Sequence, residues 1–312
     1  MDYERLIDEE TWSFIQKSGE LYPDNAVDLS IEEQRDVYDA MAEEFREPRP
    51  AIVSVRDRKA KGASDQAVPV RVYTAGDPTR TVLYCHGGGF VVGGLGSHDG
   101  ICAEICAQTG YRVVAVDYRL APEHLHPAAF EDAWTALQWV EETYGKGIVL
   151  AGDSAGANLC GALAHHARGR SDALLGQVLI YGALGGDMSQ GSYAEHAHAP
   201  MLTREDVAYY MDARAGGAQP EGDPTFAPLQ DTDFSGLPPT VLVTADCDPV
   251  RDDSHHYRDR ILAAGGKAHW INEPGLVHGY LRARHSVGRA RESFERISLA
   301  IEALGQGLWP YD

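Results

Sequence analysis

A glycine-flanked serine between an apolar run and a helix-forming run constrains this chain more than any other feature. Residues 148–151 form a short strand-like run, and the turn 152–156, Gly-Asp-Ser-Ala-Gly, follows it directly and places Ser154 at its centre. A helix-forming segment, 155–168, leaves the turn. A serine on such a turn is raised above the sheet, and the glycines let strand and helix pass closely. The pattern predicts a nucleophile elbow, although an ordinary glycine-containing turn can share the short motif.

The rest of the chain alternates strand-like and helix-like segments, which predicts an α/β fold with a mostly parallel, eight-stranded sheet and helices on both faces. Predicted strands lie at 51–58, 67–75, 81–85, 112–116, 148–151, 176–181, 240–245 and 267–271. Predicted helices of this layer lie at 97–109, 128–144, 155–168, 252–264 and 287–304. The catalytic domain is therefore predicted to comprise residues 47–181 and 237–312.

Two regions fall outside this alternation. Residues 1–46 are polar with helical spacing of the apolar positions, and Ser30 with Glu33 forms a predicted capping box. Residues 182–236 interrupt the pattern with glycine, proline and polar residues around one helical piece, 203–214, which Thr203 can cap. So long an interruption in a compact domain usually carries function. We expect it to be a lid that packs with the N-terminal helices as a cap.

Composition narrows the classes of partner. With 47 acidic and 27 basic residues the net charge is −20, which argues against nucleic acid or an anionic membrane as a partner. No apolar run reaches the roughly 18 residues of a membrane span, and the first residues lack the pattern of a signal peptide. Five cysteines, an odd number, suggest reduced thiols and a cytoplasmic location.

No metal or cofactor is predicted. His98, Cys102 and Cys106 share one face of a predicted helix, but no second cluster of suitable spacing accompanies them. Cys85 and Cys160 lie in a predicted strand and helix and are interpreted as core residues.

A nucleophilic serine on such an elbow needs an acid and a histidine base. Both are expected in loops after later strands, with the acid before the histidine along the chain. Asp248 follows the strand 240–245, and His278 follows the strand that begins at 267. Both therefore lie at carboxyl ends of strands, the edge at which such sheets bind ligands. Asp246 is closer to its strand and remains the rival acid. The other histidines fall inside predicted helices or strands, or beyond the loop.

A second glycine-rich turn, His-Gly-Gly-Gly-Phe at 86–90, follows the third strand. Glycines there would let backbone N–H groups approach a substrate oxygen. A flexible loop or a phosphate cradle are the alternatives, but no Gly-Lys-Ser/Thr sequence follows, as a phosphate cradle would require.

These motifs together resemble the hormone-sensitive lipase family of α/β hydrolases, in its bacterial esterase branch. The matching segments are H-G-G-G-F (86–90), D-Y-R-L-A-P-E (117–123), H-P-A-A-F-E-D (126–132), G-D-S-A-G-A-N (152–158), the segment 237–253 and V-H-G-Y (277–280). The resemblance covers about residues 50–305. It implies an α/β-hydrolase fold with a helical cap and a serine carboxylesterase that needs no cofactor and cleaves short- to medium-chain acyl esters. The family usually has glutamate where Asp246 stands, which keeps Asp246 open as a rival acid.

The resemblance also implies roles for individual residues. Ser154 would be the nucleophile, His278 the base and Asp248 the acid, with the oxyanion bound by the backbone N–H groups of Gly88, Gly89 and Ala155. The supporting residues would be His86, Gly87 and Asp153. The candidate substrate-pocket residues are Phe90, Tyr193, Met201, Tyr209 and Tyr210, although those of the insertion could equally pack the lid on itself.

Alternative functions stay open at this point. A specialised deacetylase or an amidase could use the same triad on another substrate. The plant gibberellin receptor shares the fold but has lost the catalytic histidine, so the presence of His278 argues against a non-catalytic receptor. The expected partner is a small ester, and the resemblance suggests a homodimer formed through an edge strand.

Overall fold

A single eight-stranded sheet carries the chain, in the strand order β1-β2-β4-β3-β5-β6-β7-β8. The structure, a computed structural model, describes residues 1–23, 25–62 and 67–311. The strands are β1 Ser54–Lys61, β2 Ala67–Thr74, β3 Thr81–Cys85, β4 Arg112–Val116, β5 Ile148–Asp153, β6 Leu174–Ile180, β7 Thr240–Cys247 and β8 Ala268–Val277. Strands β3 to β8 run parallel, whereas β2 pairs antiparallel with both β1 and β4. The predicted mostly parallel sheet is confirmed.

Helices cover both faces of the sheet. The helices are α1 Tyr3–Leu6, α2 Glu9–Leu21, α3 Ile31–Glu44, α4 Asp99–Thr109, α5 Ala128–Tyr144, α6 Ala155–Ala167, α7 Ser192–Glu195, α8 Arg204–Ala215, α9 Arg251–Ala263 and α10 Gly288–Gly305. Helices α4 and α10 pack on one face, and α5, α6 and α9 on the other. Because strand side chains alternate between faces, Ile148 and Leu150 join one core cluster and Val149 and Ala151 the other.

The largest differences from the predicted elements are in β1, β8 and the insertion. β1 begins three residues later than expected, since Val53 closes a turn by donating to the carbonyl of Pro50. β8 extends to Val277, six residues beyond the predicted end, and it includes Pro274 and Gly275, which are tolerated because β8 is at the edge of the sheet. The insertion contains α7 and a 3₁₀ turn, Pro228–Gln230, besides the predicted helix.

The N-terminal helices and the insertion pack against each other through side-chain hydrogen bonds. The hydroxyl groups of Tyr22 and Tyr210 are 3.0 Å apart, and Gln34 Nε2 donates to Tyr209 Oη at 2.8 Å. Arg35 of α3 donates to the carbonyl of Val91, in the loop after β3. Both regions therefore lie over the loops that follow the parallel strands. Among the described helices, none has the length and apolar character to cross a lipid bilayer.

Candidate active site

Three side chains from three loops meet at the carboxyl edge of the sheet. His278 Nε2 is 2.9 Å from Ser154 Oγ, and His278 Nδ1 is 2.7 Å from Asp248 Oδ2. Asp248 follows β7 immediately and is fully buried, and Val250 N–H donates to its second oxygen at 3.0 Å. The carboxylate orients the imidazole, and the imidazole is placed to take the hydroxyl proton of the serine.

The rival acid, Asp246, is directed elsewhere. It lies within β7, and its Oδ1 accepts a hydrogen bond from Asn272 Nδ2 at 2.8 Å. Its other oxygen is 3.4 Å from the N–H of Gly275. Asp246 thus braces the irregular part of β8, while Asp248 contacts the histidine. Residues two positions apart in a regular strand point to the same side, so the strand pattern alone could not distinguish Asp246 from Asp248. The pairing of β7 with β8 is irregular between Ala245 and Cys247, and Asp248 lies just beyond the strand.

The Ser154 backbone has φ 54° and ψ −118°, a conformation that side-chain-bearing residues rarely adopt. The turn is possible because its glycines leave room for β3. A Cβ added at Gly156 would overlap the carbonyl oxygen of Cys85, and one at Gly152 would be 2.7 Å from the same oxygen. The serine turn is therefore pressed against the strand that leads into the glycine-rich loop.

The glycine-rich loop presents donors beside the serine. Gly88 has φ 122° and Gly89 φ 59°, and within the described part of the chain their N–H groups donate to no protein acceptor. Ala155 is the first residue of α6, where a helix N–H has no partner within the helix. All three residues line the same cavity as Ser154 and His278. This arrangement can hold a negatively charged oxygen formed next to the serine.

Asp153 ties the serine turn to the glycine-rich loop. Its carboxylate accepts hydrogen bonds from Gly87 N–H at 3.0 Å and Tyr84 Oη at 2.8 Å, and His98 Nε2 is 3.3 Å away. Burial opposes its ionisation, but His98 and the hydrogen bond from Tyr84 outweigh burial and hold the pKa of Asp153 below its usual range. His86 is neutral, since burial lowers its pKa to about 3, and its ring stacks on Tyr118.

Backbone strain is concentrated around the cavity. In the described chain, four residues other than glycine have a positive φ, and all four line it: Phe90, Ser154, Tyr181 and Met201. Such conformations cost of order 1–3 kcal/mol each and persist where the surroundings impose them. Their clustering supports this cavity as the candidate functional site.

The cavity has a volume of about 100 Å³ and is lined by residues of the sheet loops, the N-terminal helices and the insertion. Among the predicted pocket residues, Phe90, Met201 and Tyr210 line it. A larger cavity of about 480 Å³ adjoins it and shares four lining residues: Tyr22, Met201, Leu202 and Tyr210. The hydrogen-bonded pair of Tyr22 and Tyr210 therefore stands between the two spaces.

The prediction is wrong for Tyr193 and Tyr209, neither of which lines this cavity. The Tyr193 hydroxyl donates to Asp253 Oδ2 of α9 at 3.2 Å, so its ring is turned towards α9 and away from the cavity. The Tyr209 hydroxyl accepts a hydrogen bond from the buried Gln34 of α3. Tyr209 and Tyr210 are neighbours on one helix, so about 100° separates their side chains and only one can face the cavity.

Several functional positions were not predicted. Tyr38 and Met41 of α3 line the cavity, and their helical spacing signalled a buried face without indicating what it covers. Arg282 lines it too, and no motif points to that residue. Asp253, in the first turn of α9, accepts hydrogen bonds from the N–H groups of residues 184–186. Spacing along the chain carries no signal for such long-range contacts.

Among the described residues, no group of three or more histidine, cysteine or acidic side chains is arranged to hold a metal ion. His98 contacts Ser97 and Asp153, and both Cys102 and Cys106 are buried free thiols.

Comparison with known proteins agrees with this geometry. A family model for the alpha/beta hydrolase fold matches residues 82–282. The carboxylesterase NlhH of Mycobacterium tuberculosis is 39% identical over 75% of this chain and 78% of its own length. An ethyl acetate hydrolase of Pseudomonas putida is 31% identical over 77% of this chain and 79% of its own. The structure of a hyperthermophilic esterase from the archaeon Pyrobaculum calidifontis superposes with a TM-score of 0.84 at 31% identity, covering 96% of this chain and 99% of that one.

Proposed function

The chain belongs to the alpha/beta hydrolase family, and from that premise we propose that it is a serine carboxylesterase in which Ser154, His278 and Asp248 form the catalytic triad. The observation that carries this proposal is the continuous hydrogen-bonded chain from Ser154 Oγ through the imidazole to the buried carboxylate. The similar proteins named above as esterases support ester hydrolysis as the reaction.

The proposed reaction proceeds through an acyl-enzyme. Ser154 Oγ attacks the ester carbonyl carbon while His278 Nε2 takes its proton, and the carbonyl oxygen becomes an oxyanion. The C–O bond to the alcohol then breaks, and His278 gives the proton to the departing oxygen. Water attacks the acyl-enzyme with His278 again as the base, which releases the acid and restores the serine.

The N–H groups of Gly88, Gly89 and Ala155 are proposed as oxyanion donors. In comparable sites the loss of one such donor costs about 3 kcal/mol of transition-state stabilisation. Gly87 and Asp153 support the donors, since the Gly87 N–H is bound by the Asp153 carboxylate and the loop cannot turn away from the serine. His86 supports the glycine-rich loop through its stacked contact with the ring of Tyr118.

Residues 1–46 and 182–236 act as the cap in this proposal, and Phe90, Met201 and Tyr210 as pocket walls. The small cavity favours short acyl groups. Buried free thiols at all five cysteines support a reducing compartment such as the cytoplasm, which cell fractionation would test. A homodimer through an edge strand stays a prediction that light scattering would test.

Hydrolysis of p-nitrophenyl acetate and butyrate tests the proposal directly. We expect the Ser154→Ala protein to fold with unchanged circular dichroism and to lose nearly all turnover, together with covalent labelling by a fluorophosphonate probe. Ser189→Ala, at an exposed loop position, serves as the matched control. Turnover by Ser154→Ala at the rate of the parent protein would overturn the assignment.

A further inference from the structure

One charged side chain that lines the cavity, that of Arg282, forms no hydrogen bond or ion pair with the described residues. Arg282 lies in the 3₁₀ turn Tyr280–Ala283, four residues after His278, and lines the cavity that holds Ser154. Its Nε and Nη2 atoms are shielded from solvent and have no hydrogen-bond partner among the described residues. Arginine remains protonated in proteins, so a full positive charge lies here without the hydrogen bonds that buried charges normally make.

The surroundings of Arg282 explain how the charge is tolerated but do not satisfy it. Its guanidinium lies over the ring of Tyr38, 4.6 Å from the centroid, in a cation–π contact. Asp153 is the acidic group whose field acts on it, but no ion pair joins the two, and the Asp153 carboxylate is already bound by Gly87, Tyr84 and His98. Nε and Nη2 of Arg282 are therefore left without an acceptor among the described residues.

A second buried arginine, Arg214, has acceptors for both terminal nitrogens, although its Nε, like that of Arg282, has no partner among the described residues. Arg214 lies between the rings of Phe90 and Phe226, with centroids 3.8 Å and 4.6 Å away. Its terminal nitrogens donate to Asn158 Oδ1 and to the carbonyls of Thr225 and Phe226. Arg214 thus has aromatic contacts and acceptors together. Arg282 has the aromatic contact alone, and it borders an open cavity while Arg214 is enclosed by protein.

The position of Arg282 indicates which part of a substrate it would meet. Its Nη1 lies beside Gly279: a Cβ added to that glycine would be 3.3 Å from this nitrogen. Gly279 directly follows His278, the residue that would return a proton to the departing alcohol. The alcohol portion of an ester must therefore lie on the side of the cavity where Arg282 is found.

We propose that Arg282 makes the enzyme selective for esters whose alcohol portion carries a carboxylate, such as O-acylated small hydroxy acids. This inference rests on the proposed esterase function and names the substrate class of the same site. Nη1 is not one of the shielded nitrogens of Arg282, so it can donate to a carboxylate on the alcohol portion, and charge-assisted hydrogen bonds of this kind are stronger than neutral ones. Hydrolysis then releases a short carboxylic acid and the free hydroxy acid.

The test compares isosteric substrates that differ in charge. O-acetylglycolate carries the carboxylate on the alcohol side, and O-acetylglycolamide replaces it with a neutral amide of the same shape. Monoethyl succinate and its amide, ethyl succinamate, place the same difference on the acyl side. The readout is the ratio of kcat/KM for the anionic and neutral member of each pair.

We expect the parent protein to prefer O-acetylglycolate over its amide by about 10-fold or more, the size of a charge-assisted hydrogen bond. Arg282→Gln should reduce this ratio to about 1 or lower, and Arg282→Lys should retain part of it, because lysine keeps the charge without the planar fork. The acyl-side ratio should not depend on Arg282. Arg112→Gln is the matched control, since Arg112 lies over Tyr144 at the opposite end of the sheet.

Several outcomes would overturn the proposal. Equal rates for the two glycolate esters in the parent protein would do so even if no Arg282 variant folds. A ratio unchanged in Arg282→Gln would assign Arg282 to structure alone, as a counter-charge for Asp153. Dependence on Arg282 in the succinate pair only would place the anion on the acyl side. If the parent hydrolyses the neutral esters without any charge preference, this inference fails and the esterase function stands; if it hydrolyses no ester, both fail.

Discussion

The cavity has a floor and a roof that come from different parts of the chain. The floor consists of Ser154, Asp248, His278 and the glycine-rich loop, all of which directly follow strands of the sheet. The roof consists of the cavity-lining residues of segments 1–46 and 182–236, such as Tyr38 and Tyr210. Floor residues are positioned by the main chain, whereas roof residues are positioned by side-chain contacts between segments far apart in sequence.

This difference decides how substitutions should act. Changing a floor residue alters the chemistry on a scaffold that remains folded, because the strands do not depend on the catalytic side chains. Changing a buried roof anchor such as Asp253 should lower stability. Changing a residue that lines the cavity, such as Tyr210, should act mainly on the choice of substrate. The following experiments test this division, from the largest expected effect to the smallest.

The two aspartates near the end of β7 provide the sharpest test of the floor. Asp248→Asn should reduce kcat by about 10³- to 10⁴-fold, because the asparagine can no longer hold the imidazole in the required tautomer. Asp246→Asn, which alters only the brace to Asn272, should cost less than about 10-fold. The measurement is kcat on p-nitrophenyl butyrate. A larger loss in Asp246→Asn would reverse the assignment of the acid.

Asp253 is the main anchor of the roof. Its Oδ2 accepts hydrogen bonds from the N–H groups of Leu184, Gly185 and Gly186 and from the Tyr193 hydroxyl. Asp253→Ala leaves these donors unpaired and should lower the free energy of unfolding by about 4 kcal/mol, at about 1 kcal/mol each, in urea denaturation. Asp259→Ala, in the same helix but half exposed, should cost less than about 0.5 kcal/mol. Equal losses in both variants would contradict the anchor.

The same carboxyl predicts a pH dependence. Burial raises the pKa of Asp253 from 3.8 to about 6 in the folded protein, although its hydrogen bonds act against burial. Between these two values the folded state holds the proton and the unfolded state has lost it, so stability falls as pH rises. The parent protein should lose about 2 kcal/mol relative to Asp253→Asn between pH 4 and pH 7. A constant difference across that range would contradict the raised pKa.

The wall between the two cavities gives the smallest effect. Tyr210→Ala removes the ring that separates the 100 Å³ and 480 Å³ spaces, so longer acyl chains gain apolar surface to bury. The ratio of kcat/KM for p-nitrophenyl octanoate over butyrate should rise by about 10-fold. Tyr209→Ala, at the neighbouring position of the same helix, should change that ratio by less than about 2-fold. A rise in Tyr209→Ala alone would show that the wall has been misplaced.

The sequence was sufficient for the floor because its determinants are local. The strand before Ser154, the glycines around it and the loops that carry Asp248 and His278 can each be recognised within a few residues of chain. The choice between Asp246 and Asp248 was the exception, since it depends on which side of a strand end each carboxylate takes and on the irregular pairing of β8.

The roof resisted prediction for the opposite reason. Whether Tyr209 or Tyr210 faces the cavity depends on the angle at which α8 packs, and that angle is set by Gln34 and Tyr22 from the N-terminal helices. Tyr193 is drawn away by Asp253, 60 residues later in the chain. A pattern of apolar residues identifies a buried face but contains no information on which partner buries it.

The contact of Gly156 with the Cys85 carbonyl and the bond between Gly87 and Asp153 have a consequence for motion. They hold the serine turn and the glycine-rich loop together, so we expect the two to move as one body. Opening of the cavity on the microsecond-to-millisecond scale of loop and lid movements is therefore assigned to the roof. Substitutions in residues 1–46 and 182–236 can then change the rates of substrate entry and product release. The alignment of the serine with the proposed N–H donors stays the same.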